Sequence, residues 1–237
     1  MSSKTSIILC TYNEAKYIEN TISELEKNIP NLEIVIVDDC SSDGTIEIIK
    51  KLNQNNKYKA IYRKKSRGLA SAFVRGVIET TGENIGWIDT NMSEVAAKFP
   101  KMIEELKTNN DIIVLSRYIK DGGDNRILLR TLTSKYFNLF CRVVLRIPIK
   151  DFTSSIFLMK RKILDEVTFI GYGHGEFFFE FLYNAYKKGF KIKEIPYIQD
   201  KDEDLGNSKS ASSIVRFFYL GFMYILRIIA TLIRRKN

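Results

Sequence analysis

Short apolar runs alternate with stretches of helical periodicity from the start of the chain to about residue 116, and no other feature limits the fold as tightly. Residues 6–10, 33–37, 58–63, 84–89 and 111–116 are apolar runs of strand length. Between them, residues 14–28 place Tyr17, Ile18, Thr21, Ile22 and Leu25 on one stripe, and residues 45–52 turn Ile46, Ile49 and Leu52 inward. Residues 69–80 and 100–107 carry the same helical period. Strands and helices in this order build βαβ units, so the chain is expected to be an α/β protein with a mainly parallel sheet flanked by helices. Ligands of such sheets sit beyond the carboxyl ends of the strands. That rule points at residues 11–14, 38–43 and 89–93 and at Arg117.

After Gly122-Gly123 the pattern changes. Residues 127–147 read as a helix that is apolar nearly all round, interrupted by Arg130, Lys135, Arg142 and Arg146. Such a helix is either deeply buried or beside a membrane. Residues 160–167 and 176–188 predict two more helices, 191–198 a strand, and 199–213 a polar loop. His174 reads as a loop residue and Phe177, Phe178 and Phe179 as core. Residues 214–233 are strongly apolar, yet Arg216 and Arg227 interrupt them, and the uncharged run 217–226 is about half of what a membrane span needs. On a helix, Arg216, Arg227 and Arg234 fall on one line, and Phe217, Phe218, Phe222, Ile225, Ile229 and Ile233 lie away from it. This pattern predicts a helix lying in the headgroup plane with its arginines toward lipid phosphates. A core or dimer-interface helix is the alternative. Two units follow, residues 1–210 and an amphipathic membrane-interface helix over 211–237, with peripheral attachment on the cytoplasmic side of a membrane.

Composition narrows the class. With 237 residues, 45% hydrophobic, the chain can bury a large core, which excludes dominant disorder. Its three cysteines, Cys10, Cys40 and Cys141, are odd in number and widely spaced, which argues against a disulfide scaffold and for a reducing compartment; packing accounts for them. His174 is the only histidine, so a structural zinc site is not expected. The first six residues are polar and the apolar run behind them is too short for a signal peptide. A net charge of +9 favours an anionic partner: a nucleic acid, a nucleotide or an anionic membrane face.

Three strand ends carry chemistry-bearing residues. Cys10-Thr11-Tyr12-Asn13-Glu14 closes the first strand, and Asp38-Asp39-Cys40-Ser41-Ser42-Asp43-Gly44-Thr45 follows the second. Adjacent carboxylates repel unless a ligand or donor offsets them. There a carboxylate can accept the N–H of a pyrimidine or guanine base, with Glu14 in reach of a ribose, although Asp, Ser and Gly are also ordinary turn residues. Trp87-Ile88-Asp89-Thr90-Asn91-Met92-Ser93 runs from the fourth strand into an acidic turn. Oxygen ligands on alternate residues, here Asp89 and Asn91, point the same way and can share a hard divalent cation that bridges to a diphosphate. A capped turn before the helix near Phe99 explains the same residues without a metal.

In this order and at these spacings the three segments resemble family 2 glycosyltransferases of the GT-A fold, in the polyprenyl-phosphate branch typified by dolichol-phosphate mannose synthase. The resemblance extends along nearly the whole chain through Arg67-Gly68 with Gly76 and Gly82, Ser116-Arg117-Tyr118, Arg130 with Ser134-Lys135 and Asn138, Asp151-Phe152-Thr153-Ser154, Glu180, Glu194-Ile195-Pro196, and Gly206-Asn207-Ser208-Lys209. It implies a hexosyltransferase that moves a sugar from a nucleotide-diphosphate sugar, GDP-mannose or a UDP-sugar, to a polyprenyl or dolichyl phosphate. Thr11, Tyr12, Glu14, Asp39, Arg67 and Asp89 would bind the nucleotide-sugar. Asp89 and Asn91 would be the catalytic metal-site residues, with Mg²⁺ or Mn²⁺ on the diphosphate. Arg117, Arg130 and Lys135 would hold the acceptor phosphate, and Ser208 and Lys209 would belong to a loop closing over the donor. Nucleic acid is not an implied partner; a homo-oligomer stays open.

A lipid phosphate, with a second pKa of about 6, is already an anionic nucleophile at neutral pH. Transfer to it needs cations that align two anions more than it needs a general base. Five departures from the family pattern bear on this: Asn91 for a second acid, Ser93 for a longer polar ligand, Lys135 and Phe157 for arginines, and Glu203 for a basic residue. They leave open a relative that binds nucleotide-sugar or lipid as a regulatory subunit without turnover. Transfer to a sugar hydroxyl, which does need a base, is a further alternative.

Overall fold

The computed structural model describes residues 3–65, 67–201 and 214–234, with side chains from residue 221 onward in the last segment. The first half follows the expected alternation: β1 (Thr5–Thr11), α1 (Ile18–Asn28), β2 (Leu32–Asp38), α2 (Thr45–Leu52), β3 (Lys59–Tyr62), α3 (Leu69–Glu79), β4 (Asn84–Trp87), α4 (Phe99–Lys107) and β5 (Ile112–Ser116). Then come β6 (Gly123–Asp124), α5 (Leu128–Leu145), β7 (Phe157–Lys160), α6 (Glu176–Lys187), β8 (Ile192–Pro196), β9 (Ile198–Gln199) and α7 (Ile214–Arg234). The main sheet has the order β3-β2-β1-β4-β7-β5-β8, and β6 pairs with β9 in a small second sheet.

Alternation along the strands divides the interior into two layers. Ile7 and Leu9 of β1 join Ile18, Ile22 and Leu25 of α1 and Phe99 and Met102 of α4 on one face. Ile8, between them, points to the other face with Phe73 of α3, Trp87, and Phe177, Phe178 and Phe179 of α6, so the expected phenylalanine run is core. Strands buried on both faces read as continuous apolar runs, which is why β1, β2 and β5 stand out in the sequence. Gly76 lets α3 lie against β1, since a Cβ there would meet the Ile8 side chain at 2.6 Å.

Two expectations need correction. Residues 160–167 are not an α-helix. Lys160 ends β7, and only a short 3₁₀ turn, Arg161–Asp165, follows. β7 runs antiparallel between β4 and β5, and Phe157 is opposite Trp87 in its register. Phe157 is fully buried and packs on Phe178 at 4.9 Å and Phe73 at 5.7 Å, so it serves the core, where burying a phenylalanine is worth about 1.5–3 kcal/mol.

The second correction concerns the tail. Arg227 turns inward, where its Nε donates to the buried carboxylate of Glu180 on α6, and Arg234 donates to the other Glu180 oxygen at 2.9 Å. Phe222, Ile225, Leu226, Ile229 and Ile233 form the exposed face instead. Periodicity places the arginines on one line but does not say whether that line faces solvent or an acidic partner. The side chains of Arg216, Phe217 and Phe218 lie outside the described residues. No described helix is long and apolar enough to cross a membrane.

Candidate active site

The loops after β1 and β2 are laced into one unit. The N–H groups of Asn13, Glu14 and Ala15 donate to Ser41 Oγ (2.9 Å), Thr45 Oγ1 (2.8 Å) and Asp43 Oδ2 (3.0 Å), and Asn13 Oδ1 accepts from Ser42 N–H at 2.9 Å. Partial burial opposes the Asp43 charge, but donors from Thr45 and Ala15 hold its pKa below the ordinary range. Asn13 and Cys40 both adopt positive φ, 56° and 62°, a strained conformation for a non-glycine residue that this lacing holds in place.

The Asp38-Asp39 repulsion is offset by donors from the protein itself. Buried Asp38 accepts from Thr11 Oγ1 at 2.8 Å and from Ser41 N–H and Oγ at 2.9 and 2.6 Å. Asp39 takes a bidentate pair from Arg63 at 2.6 and 2.7 Å and the Gly68 N–H at 2.8 Å. Arg63 was not singled out by the sequence; only the fold sets the end of β3 beside the end of β2. The Arg67 guanidinium stacks 4.9 Å above the Tyr12 ring and donates to its hydroxyl at 3.3 Å. Thr11, Tyr12, Glu14, Asp39 and Arg67 therefore assemble at one corner of the sheet.

Asp89 faces the same corner. The Cys10 thiol is pushed up by burial and then by the charges of Asp39 and Asp89, so both carboxylates act on the end of β1. β4 ends at Trp87, so Asp89 and Asn91 belong to a turn rather than to alternate positions of a strand: Met92 N–H donates to Asp89 O at 3.1 Å. Thr21 of α1 fixes this turn by donating to Thr90 O at 2.5 Å. Asp89 is half-buried and Asn91 exposed. One carboxylate and one amide oxygen suit a hard cation that completes its shell with waters and substrate phosphates. Among the described residues no cluster of three or more His, Cys, Asp or Glu forms a metal cage by itself.

Of the three expected phosphate ligands, Arg117 is turned into a buried knot of hydrogen bonds. Arg117 is buried; its Nε and Nη2 both bond Asp151 at 2.8 Å, its Nη1 bonds Gln199 of β9 at 2.8 Å, and Nη2 also reaches Thr153 at 2.6 Å. Burial opposes the Asp151 charge, but Arg117 prevails and keeps its pKa below the ordinary range. Arg117 thus ties β5 to the 151–154 loop and to β9. Asn138 of α5 joins the same knot, donating to Thr153 Oγ1 at 2.9 Å and accepting from Phe152 N–H at 2.6 Å. Arg130 and Lys135 sit on α5, half-buried and exposed respectively. Ser208, Lys209, Gly206 and Glu203 lie outside the described residues.

A family model for glycosyl transferase family 2 matches residues 6–168. The dolichol-phosphate mannosyltransferase of Pyrococcus furiosus is 32% identical over 226 residues, 91% of this chain and 63% of that protein, so this chain spans only part of that relative's length. The polyprenol monophosphomannose synthase of Mycolicibacterium smegmatis is 25% identical over 223 residues, 90% of this chain and 83% of that one. A glucosyl-3-phosphoglycerate synthase from Mycobacterium tuberculosis, crystallised with Mn²⁺, UDP and phosphoglyceric acid, shares the fold with a TM-score of 0.73 at 13% identity, covering 97% of this chain and 78% of its own. The match over most of the chain, on a GT-A architecture with the strand-end segments gathered at one corner, places the protein in glycosyl transferase family 2.

Proposed function

We propose that this protein transfers a hexose from a nucleotide-diphosphate sugar to a polyprenyl phosphate at a membrane surface. The observation that carries the reading is the position of Asp89. It lies near enough to Cys10 to act on that thiol together with Asp39 of the Tyr12–Arg67 corner, and near enough to Tyr224 of α7 that its charge, after burial and Glu176, pushes the phenol up. A diphosphate at Asp89 would therefore sit between a nucleoside end and the two helices with apolar outer faces.

Tyr12 and Arg67 offer a flat surface for the base, and Asp39, pre-aligned by Arg63, offers an acceptor for its N–H. Glu14 is the ribose partner. Asp89 and Asn91 would hold Mg²⁺ or Mn²⁺, which supplies positive charge to the leaving diphosphate. Arg130 and Lys135 draw the acceptor phosphate, with Arg117 holding the ground beneath them through Thr153 and Asn138. Ser208 and Lys209 remain candidates for closing over the donor. Leu128, Leu132, Tyr136, Leu139 and Val143 give α5 an exposed apolar row, α7 adds its own, and Arg142 and Arg146 flank the first. Two apolar rows with basic neighbours fit the headgroup region of an anionic bilayer. On this reading Phe157, being core, takes nothing from the acceptor site.

Calorimetric titration of GDP-mannose and UDP-glucose with and without Mn²⁺, and co-sedimentation with phosphatidylglycerol vesicles, test the two halves. Metal-dependent binding of one nucleotide and pelleting with vesicles are expected. Binding of neither nucleotide favours the regulatory relative, and a protein that stays in the supernatant removes the membrane acceptor.

A further inference from the structure

The tail helix reaches further into the catalytic domain than an anchor requires. Tyr224 of α7 packs between Phe137 of α5 at 5.5 Å and Phe179 of α6 at 5.9 Å. Its hydroxyl lies against the backbone of Gly175, close enough that a Cβ at that position would stand 2.7 Å from it. Gly175 is the residue before α6, and the loop leading to it is folded tightly: Gly173 has a φ of +97°, and the buried Glu176 carboxylate accepts the His174 N–H at 2.8 Å. The next residue, Phe177, stacks on Trp87 at 5.5 Å with an interplanar angle of 27°. Trp87 is two positions before Asp89. Its buried Nε1 has no hydrogen-bond partner among the described residues, so packing against Phe177 and, at 5.5 Å, Phe73 fixes the ring.

These contacts form one path from the membrane-side helix to the turn that carries Asp89. We infer that Tyr224 is a positioning residue for the transfer reaction: by holding the Gly175 backbone it sets the start of α6, and through Phe177 and Trp87 it sets the Asp89 turn. The Glu180 carboxylate, paired with Arg227 and Arg234, fixes the rotation of α7 that aims Tyr224 at Gly175. The inference rests on the proposed transfer for its kinetic consequence only, since the path can be read without turnover.

Tyr224→Phe in the full chain removes the hydroxyl and keeps the ring packing. Trp87 is the only tryptophan, so its emission reports the residue beside the Asp89 turn. The variant is expected to shift Trp87 emission to longer wavelength and raise its quenching by acrylamide, with vesicle co-sedimentation unchanged. In the transfer assay kcat should fall about five-fold, the scale of one lost hydrogen bond, with the donor KM unchanged. Tyr186→Phe, exposed near the end of α6, is the control and should alter neither readout. Trp87 emission and quenching identical to wild type in Tyr224→Phe overturn the inference. If the wild-type chain transfers no sugar, the proposed function fails, and the emission result alone decides this inference.

Discussion

Replacing Arg117 by methionine separates a structural knot from a phosphate ligand. Methionine keeps an apolar stem in the same space and loses the guanidinium. Asp151, 0% exposed, then loses both 2.8 Å side-chain donors and keeps backbone N–H groups of residues 117 and 153. Removing one member of a buried ion pair costs about 3–5 kcal/mol, because the other charge is stranded. At about 2–4 °C per kcal/mol for a chain of this size, the melting temperature should fall by roughly 6–20 °C. Adding Asp151→Leu removes the stranded charge and should recover more than half of the loss. Thermal unfolding followed by circular dichroism at pH 7 measures all three proteins. An Arg117→Met melt within about 2 °C of wild type would refute the reasoning and return Arg117 to the list of side chains available to an acceptor.

Acid should destabilise the protein in a defined window. Burial opposes the Asp124 charge, but Arg126 and Arg117 hold its pKa at about 2, and Asp151 and Glu33 are also depressed. Carboxylates of this kind contribute fully above the unfolded value of about 4 and lose their contribution as pH falls through the folded value. Glu194, raised by burial, acts in the opposite sense, and its effect falls above the unfolded value of about 4, outside this window. Melting temperature should therefore drop steeply from pH 4 toward pH 2, and the drop should be shallower in Asp124→Asn; equal slopes would contradict it. Phe157→Ala should cost about 3–5 kcal/mol in urea unfolding, since it opens a cavity among Phe73, Phe169, Phe178 and Phe181. A cost under about 1 kcal/mol would mean that the core collapses around the gap.

The first half of the chain was legible because β1, β2, β4 and β5 are largely buried on both faces and each helix presents one stripe; α2 begins and ends where periodicity places it. β7 was not, because three buried residues carry no period and its neighbours β4 and β5 lie far away in sequence. The loops after β1 and β2 were readable as a pair, whereas Arg63, 24 residues from Asp39, has no local signal. Glu180 shows the same limit: its pairing with Arg227, 47 residues away, reversed the face that the tail helix presents. Tyr224 and Glu176 were likewise passed over, since a tyrosine in an apolar helix and an acid at a helix start are ordinary until the fold sets both at the Gly173–Gly175 turn before α6.

In the proposed function Asp89 holds the cation that supports sugar transfer onto a lipid phosphate. This role is tested most directly by following radiolabel from GDP-mannose and from UDP-glucose into organic-soluble product, with a short-chain polyprenyl phosphate and Mn²⁺, for wild type and Asp89→Ala. Lipid-linked label from one donor with wild type, cut at least about 100-fold in the variant, is the predicted result. Label that forms equally well in Asp89→Ala, or that forms with neither donor in wild type, would contradict the account.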